Sequence, residues 1–339
     1  MSDLLQFQLS EFLSGSDVSE SNAELFLDSL IGSSDEDLLA RIFHAWHEKG
    51  IEENEIYSLA KVMRHRMTRV NSQHDTFVDI VGTGGSKVKT FNVSTAAAFV
   101  AAGENVAVAK HGNKAATSNS GSADVLSELG IDPAVVPAVA EQCLNDIGIC
   151  FMFAPNFHRL SPTLGKVRRS LGFPTIFNCV GPLCNPASAP HQVIGVWDRE
   201  LLPKMAQALA QLGTKRSWIV HSKSGLDEIS LDAETYVAEI ADGSVREFTV
   251  LPHDFGVDID EMQIVTASDS VSSAAVITSV LKGDVKGSPA ESIVAVNAAA
   301  ALYVADSKRD LKSAYKSALE SIRSGGAFAK LRQLSETAK

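Results

Sequence analysis

The chain has 339 residues, 45% of them hydrophobic, enough for one large domain or two smaller ones around a substantial core. Its formal net charge is −11 with no basic run, which argues against general nucleic-acid binding, since that needs a basic footprint. The apolar stretch at 296–305 is too short to span a membrane, and the first residues lack the basic start and apolar core of a signal peptide. Cys143, Cys150, Cys179 and Cys184 have no Cys-x-x-Cys spacing and read as reduced, buried thiols of a cytoplasmic protein.

The chain opens with helices. Ser34 with Asp37 resembles a capping pair, after which Leu38, Leu39, Ile42, Phe43 and Trp46 form one helical face that ends before Gly50. Ile56, Leu59, Ala60 and Met63 form another. His44 and His47 lie on the first of these helices and are expected to face solvent. Beyond Phe77, short strands at 77–81, 105–109, 193–197 and 218–221 alternate with alanine-rich helices, the pattern of an α/β fold. No internal repeat is present.

The first strand carries one charge, Asp79, and runs into Gly82-Thr83-Gly84-Gly85. Glycines let the backbone turn sharply and approach a ligand closely. Asn92, Ser94 and Thr95 stand before the apolar run 96–102, where helix-capping residues belong. Such a turn offers free N–H groups and the positive end of a helix dipole to an anion. It is not a Walker loop, which ends in Gly-Lys-Ser/Thr. It is not a dinucleotide fingerprint either, which needs glycine where Lys87 stands. A tight turn without a ligand is the plain alternative.

A second segment of this kind follows the strand at 105–109. Lys110 supplies a point charge for phosphate, Gly112 permits a turn, and residues 117–122 are rich in small hydroxyl donors suited to a covering loop. A solvated Ser/Gly loop is the alternative. Leu126 and Leu129 give a short helix that stops at Gly130. Two anion loops on successive strand–helix units would meet at the carboxyl ends of a parallel sheet. Asp227-Glu228 reads as a metal-binding pair or as a surface acidic pair. Arg168, between Lys166 and Arg169, reads as a carboxylate grip or as part of a solvated basic face. His111 reads as a loop histidine holding backbone or as a base, and His158 and His221 are open in the same way.

These blocks resemble the anthranilate phosphoribosyltransferase family. Its Gly-Thr-Gly-Gly with Asn-x-Ser-Thr appears at Gly82 to Gly85 and Asn92 to Thr95, its Lys-His-Gly-Asn at Lys110 to Asn113, and its Ser-Gly-Ser-Ala-Asp at Ser120 to Asp124. Thr175-Ile-Phe-Asn178, Gly181-Pro-Leu-x-Asn185-Pro-Ala187 and Gly225-Leu-Asp227-Glu228 follow in order. The resemblance implies a small N-terminal helical domain, 1–72 with a return segment near 166–185. A larger α/β domain, 73–165 and 186–339, holds a central sheet flanked by helices, and the whole forms a homodimer. The implied substrates are 5-phosphoribosyl diphosphate (PRPP) and anthranilate, with Mg²⁺, in the second step from chorismate to tryptophan. PRPP-binding positions carry over to Gly82, Gly84, Gly85, Thr90, Asn92, Ser94, Thr95, Lys110, Thr117, Ser118 and Ser122. Anthranilate positions carry over to Gly82, Asn113 and Arg168, and Mg²⁺ ligands to Ser94, Asp227 and Glu228. No side-chain acid or base is implied, because the aromatic amine is already a nucleophile and catalysis is mostly positioning and electrostatics.

The chain departs from the family in three places. Ser86 stands where an Asp usually ends the glycine loop, which is expected to alter Mg²⁺ dependence, and Lys114 replaces a usual Arg. After His158 the usual Pro-Ala-Met-Lys is absent, and Pro162 and Gly165 are expected to break a helix start there. That segment borders the acceptor route, so a different aromatic acceptor is one rival reading. A pyrimidine nucleoside phosphorylase is another, although it needs no acidic Mg²⁺ pair.

Overall fold

A computed structural model describes residues 2–86, 88, 90–114, 120–257 and 265–339. Four helices open the chain: α1 (Ser2–Leu13), α2 (Glu20–Gly32), α3 (Glu36–Lys49) and α4 (Glu53–Arg66). The face expected of α3 is buried, and the helix stops at Gly50, whose φ is 91°. Its cap is Asp35, which accepts from the Leu38 N–H at 2.9 Å, so the expected pair at Ser34 and Asp37 is not the one used. A carboxylate at this point also complements the positive helix end. Trp46 stacks on Phe12 and donates its Nε1–H to Glu55 at 3.0 Å. The buried Glu55 also receives Lys49 Nζ and the N–H groups of Val18 and Glu52, so its charge is fully hydrogen-bonded.

The α/β part begins with β1 (Phe77–Gly82), α5 (Val93–Gly103), β2 (Ala107–Gly112), α6 (Ser122–Glu128), α7 (Pro137–Ile147) and β3 (Ile149–Phe153). Three short helices, α8 (Ala154–His158), α9 (Pro162–Ser170) and α10 (Ile176–Val180), cross back to the N-terminal helices. Leu164, Val167, Ile176 and Val180 share their apolar cluster, and Phe177 meets Phe43 edge-on at 6.2 Å. Then come β4 (His191–Gly195), α11 (Leu201–Gln211), β5 (Arg216–Ser222), β6 (Thr235–Ala241), β7 (Ser244–Val250) and α12 (Ser270–Leu281). The chain closes with α13 (Pro289–Ala305), α14 (Leu311–Arg323) and α15 (Gly326–Thr337).

The chain does leave the helix after His158, where Arg159 turns left-handed at φ 49°, but Pro162 and Gly165 are not what breaks it. α9 starts at Pro162, where a proline at the first helical position removes an N–H that would have no partner, and Ser161 caps it by accepting from Leu164 N at 3.1 Å. Gly165 is carried inside the helix. The strand expected at 105–109 lies later, at Ala107–Gly112, because Asn105 is a left-handed turn residue with φ 62°. Lys110 and His111 are therefore strand residues rather than loop residues.

The sheet order is β3-β2-β1-β4-β5-β6-β7. The first five are parallel, and β6 and β7 are antiparallel additions joined by a tight turn at Asp242 and Gly243. The chain winds outward from β1 through β2 to β3, then returns to the other side of β1 as β4. β1 and β4 therefore form a topological switch point, where the connections leave in opposite directions and open a crevice at the carboxyl ends. One face of the sheet packs on α5 and the alanine-rich α13, which is buried all round, and the other packs on the helical part and α11. No described helix is long and apolar enough to cross a membrane.

Candidate active site

A cavity of about 690 Å³ opens at this switch point. Its donor end is built by the turn after β1. Gly84 and Gly85 take φ 65° and 83°, and the Thr83 N–H donates to the Gly195 carbonyl at 2.9 Å. Gly82 and Gly195 face each other in the β1–β4 register, and the loop bearing Asp227 lies directly over both. A methyl group on Gly195 would stand 1.6 Å from the Asp227 carbonyl oxygen, and one on Gly82 would stand 2.9 Å from Asp227 Oδ2. Gly195 had no signal in the sequence, because its need for a bare backbone comes from a segment some thirty positions away.

Glu228 lies beside Asp227. Burial first, and the Asp227 charge second, push its carboxyl well above the ordinary range, while Thr90 Oγ1 at 3.1 Å and Lys110 oppose that rise. Lys110 Nζ donates to the Ile80 carbonyl and reaches Ser94 Oγ at 3.4 Å. Burial lowers its pKa to about 8 against the opposing pull of Asp79 and Glu228. Asn92 caps no N–H of α5. Its Oδ1 instead accepts from Ser120 Oγ and Ser273 Oγ, both at 2.8 Å. The donor set is thus two crowded carboxylates facing hydroxyls, a lysine and bare N–H groups. Mg²⁺ fits such a set, since it takes one or two carboxylates and completes its shell with phosphate oxygens and water.

The acceptor end is built by α9 and α10. Arg168 lies over the Phe177 ring at 4.9 Å, its Nε donates to Thr175 Oγ1 at 3.1 Å, and its Nη2 reaches Asn178 Oδ1 at 3.4 Å. Burial, with Arg169 next, lowers its pKa to about 10, so the guanidinium stays charged at neutral pH. The solvated-face reading of Arg168 is thereby replaced: Lys166 and Arg169 are exposed, and Arg168 points inward. His158 lines the same end. Neither of its ring nitrogens has a hydrogen-bond partner among the described residues, and burial lowers its pKa to about 4. His111 is no loop residue. Its Nδ1 faces buried Asp79 Oδ2 at 2.5 Å and its Nε2 faces the Gly181 carbonyl at 2.9 Å, tying β1, β2 and the return segment together. Burial works to raise the Asp79 pKa, but His111, Lys110 and Asn185 together hold it below the ordinary carboxylate value.

Of the positions carried over from the family motifs, Gly82, Gly84, Thr90, Asn92, Ser94 and Lys110 line the cavity at one end. Ser122, Asn113, Arg168, Asp227 and Glu228 line it too. Gly85 and Thr95 do not. Gly85 packs against Pro174, and the buried Thr95 hydroxyl lies behind the wall. Thr117 and Ser118 lie outside the described residues. Among the described residues, no group of three or more His, Cys, Asp or Glu could hold a metal, so an ion here would rest on the pair and on its substrate.

A glycine turn and paired carboxylates thus meet at the switch point of an α/β sheet, where ligands of such folds bind. Residues 74–328 match the family described as "Glycosyl transferase family, a/b domain". The chain is 42% identical over 332 residues to the anthranilate phosphoribosyltransferase of Clostridium kluyveri, covering 98% of each. Its fold is similar to the crystal structure of the Thermus thermophilus enzyme, with a TM-score of 0.88, 34% identity, and 98% of this chain and 99% of that one covered. The Saccharomyces cerevisiae enzyme in complex with PRPP and Mg gives a TM-score of 0.90 at 29% identity, covering 100% of this chain and 98% of that one. The chain belongs to the anthranilate phosphoribosyltransferase family.

Proposed function

We propose that this protein transfers the 5-phosphoribosyl group of PRPP to the amine of anthranilate. The products are N-(5-phosphoribosyl)anthranilate and diphosphate, the second step from chorismate to tryptophan. One observation carries the reading: a cavity sets the glycine turn and two carboxylates at one end and Arg168, held against Phe177 and Thr175, at the other. The S. cerevisiae relative in complex with PRPP and Mg supports the donor end, and the same protein in complex with 4-fluoroanthranilate supports the acceptor end.

Each residue then has a defined task. The N–H groups of the glycine turn and Lys110 offer fixed positive potential to the diphosphate as it departs. Asp227, Glu228 and Ser94 would hold Mg²⁺, which when bound neutralises the charge that gathers on the leaving group. Arg168 presents a planar fork to the anthranilate carboxylate and so aims the amine at the anomeric carbon. A phosphorylase has no use for the crowded acidic pair, which favours the transferase. We further propose that residues 1–72 with 166–185 form a domain through which two copies associate, and that the protein works in the reducing cytoplasm. Its four buried thiols, with pKa values pushed upward by burial, suit that compartment.

The test is the loss of anthranilate fluorescence on mixing protein with PRPP and Mg²⁺. The loss is expected to need PRPP and to vanish with EDTA or in the double variant Asp227→Ala, Glu228→Ala. A signal unaffected by either treatment would refute the metal-pair assignment. Its absence in the parent would refute the reaction.

A further inference from the structure

Asn178 stands at the third position of α10, where its Oδ1 reaches back to the N–H of the capping residue Thr175 at 3.0 Å. That half of the side chain is an ordinary helix-capping contact. The other half leaves the helix: Nδ2 donates at 3.0 Å to the carbonyl of Thr83, inside the glycine turn. The Oδ1 that caps the helix also accepts from Arg168 Nη2 at 3.4 Å, while Thr175 Oγ1 takes Arg168 Nε at 3.1 Å. One amide therefore touches the acceptor arginine with its oxygen and the phosphate loop with its nitrogen. Beside it, Pro174 fills the space that a side chain on Gly85 would occupy, at 2.7 Å.

The consequence follows from peptide geometry. Across a planar trans peptide the carbonyl of one residue and the N–H of the next point in opposite directions. Fixing the Thr83 carbonyl toward Asn178 thus turns the Gly84 N–H away from the return segment and sets its direction as an anion donor. We propose that Asn178 is a positioning residue that holds the phosphate loop and Arg168 in one register, so that donor and acceptor are aligned by the same side chain. This rests on the proposed reaction for its purpose, but its physical content, control of the anion loop from the acceptor side, is separate.

Asn178→Asp separates this role from capping. A carboxylate caps α10 and faces Arg168 as well as the amide does, so the variant keeps its fold. It also sets an oxygen against the Thr83 carbonyl in place of a donor. With Mg²⁺-diphosphate as the calorimetric probe, Asn178→Asp is expected to bind about tenfold more weakly than the parent. Thr175→Val removes the partner of Arg168 Nε and the Thr175 Oγ1 contact to Asn178 Oδ1 at 3.4 Å but keeps the Asn178 Nδ2 bond to the Thr83 carbonyl, so it is expected to raise KM for anthranilate and leave diphosphate binding within twofold. Diphosphate binding by Asn178→Asp within twofold of the parent, with the melting temperature retained, would overturn the proposal and leave Asn178 as a cap. Absence of anthranilate turnover in the parent would overturn the reaction, and the diphosphate comparison would still decide the bridge.

Discussion

Gly195→Ala tests whether the acidic pair is placed by bare backbone. The added methyl would lie 1.6 Å from the Asp227 carbonyl oxygen, whereas ordinary contact begins at 3.4 Å. The obstacle is main chain, so no side-chain rotation relieves it. The loop must lift by about 1.8 Å, the difference between those two distances. A misplacement of about 1 Å costs on the order of a hundredfold in rate, or roughly 2.7 kcal/mol, so kcat/KM should fall at least that far. Overpacking of this kind also costs about 1–3 kcal/mol of stability, which melting followed by circular dichroism would register. Gly82→Ala should be milder. Its methyl meets the Asp227 carboxylate at 2.9 Å, a shortfall of about 0.5 Å at the end of a side chain. Fluorimetric kinetics on both variants give the comparison. Gly195→Ala within threefold of the parent, or less impaired than Gly82→Ala, would refute the reasoning.

Two further outcomes follow from single residues. His158 has a folded pKa of about 4 against an ordinary 6.5, so the unfolded chain binds more protons between those values and stability falls as pH drops through that window. The full loss is on the order of 3 kcal/mol. His158→Gln should show a shallower fall in urea midpoint from pH 7 to pH 4.5 than the parent, and equal falls would remove His158 as the cause. Ser86 is buried, and its hydroxyl donates toward the carbonyls of Val88 at 2.9 Å and Gly225 at 2.8 Å, linking the glycine loop to the acidic loop. Ser86→Asp replaces that donor with charge. It should lower stability by about 1–3 kcal/mol and lower the Mg²⁺ concentration needed for half-maximal activity. Superimposable Mg²⁺ titrations would end the idea.

The parts of the molecule legible in sequence were those whose cause is local. The spacing of Leu38, Ile42 and Trp46 marked α3, and the run of glycines before Asn92 marked the anion loop, because 3.6-residue periodicity and backbone freedom are properties of neighbours. Residues whose task is set across the fold were illegible. Gly195 is bare because of Asp227, Asn178 matters through Thr83, and Asp79 is paired with a histidine on the next strand. Asp79 looked only like a lone charge in an apolar strand, and that oddity was the available signal. Two motif positions have causes outside the cavity lining: Gly85 is kept bare by its φ of 83° and by Pro174, and the Thr95 hydroxyl is buried behind the wall. Pro162 misled in the opposite direction, since the same ring that breaks a helix interior begins one well when Ser161 stands before it.

The β6–β7 hairpin has a consequence for how copies of the protein meet. β7 ends the sheet with its side chains at Ser244, Arg246, Glu247 and Thr249 exposed, while β3 at the opposite border is buried under neighbouring helices. A strand border dressed with charge, and another under cover, give no template on which a second sheet could grow. Growth of one copy's sheet onto another's is thereby disfavoured at both borders.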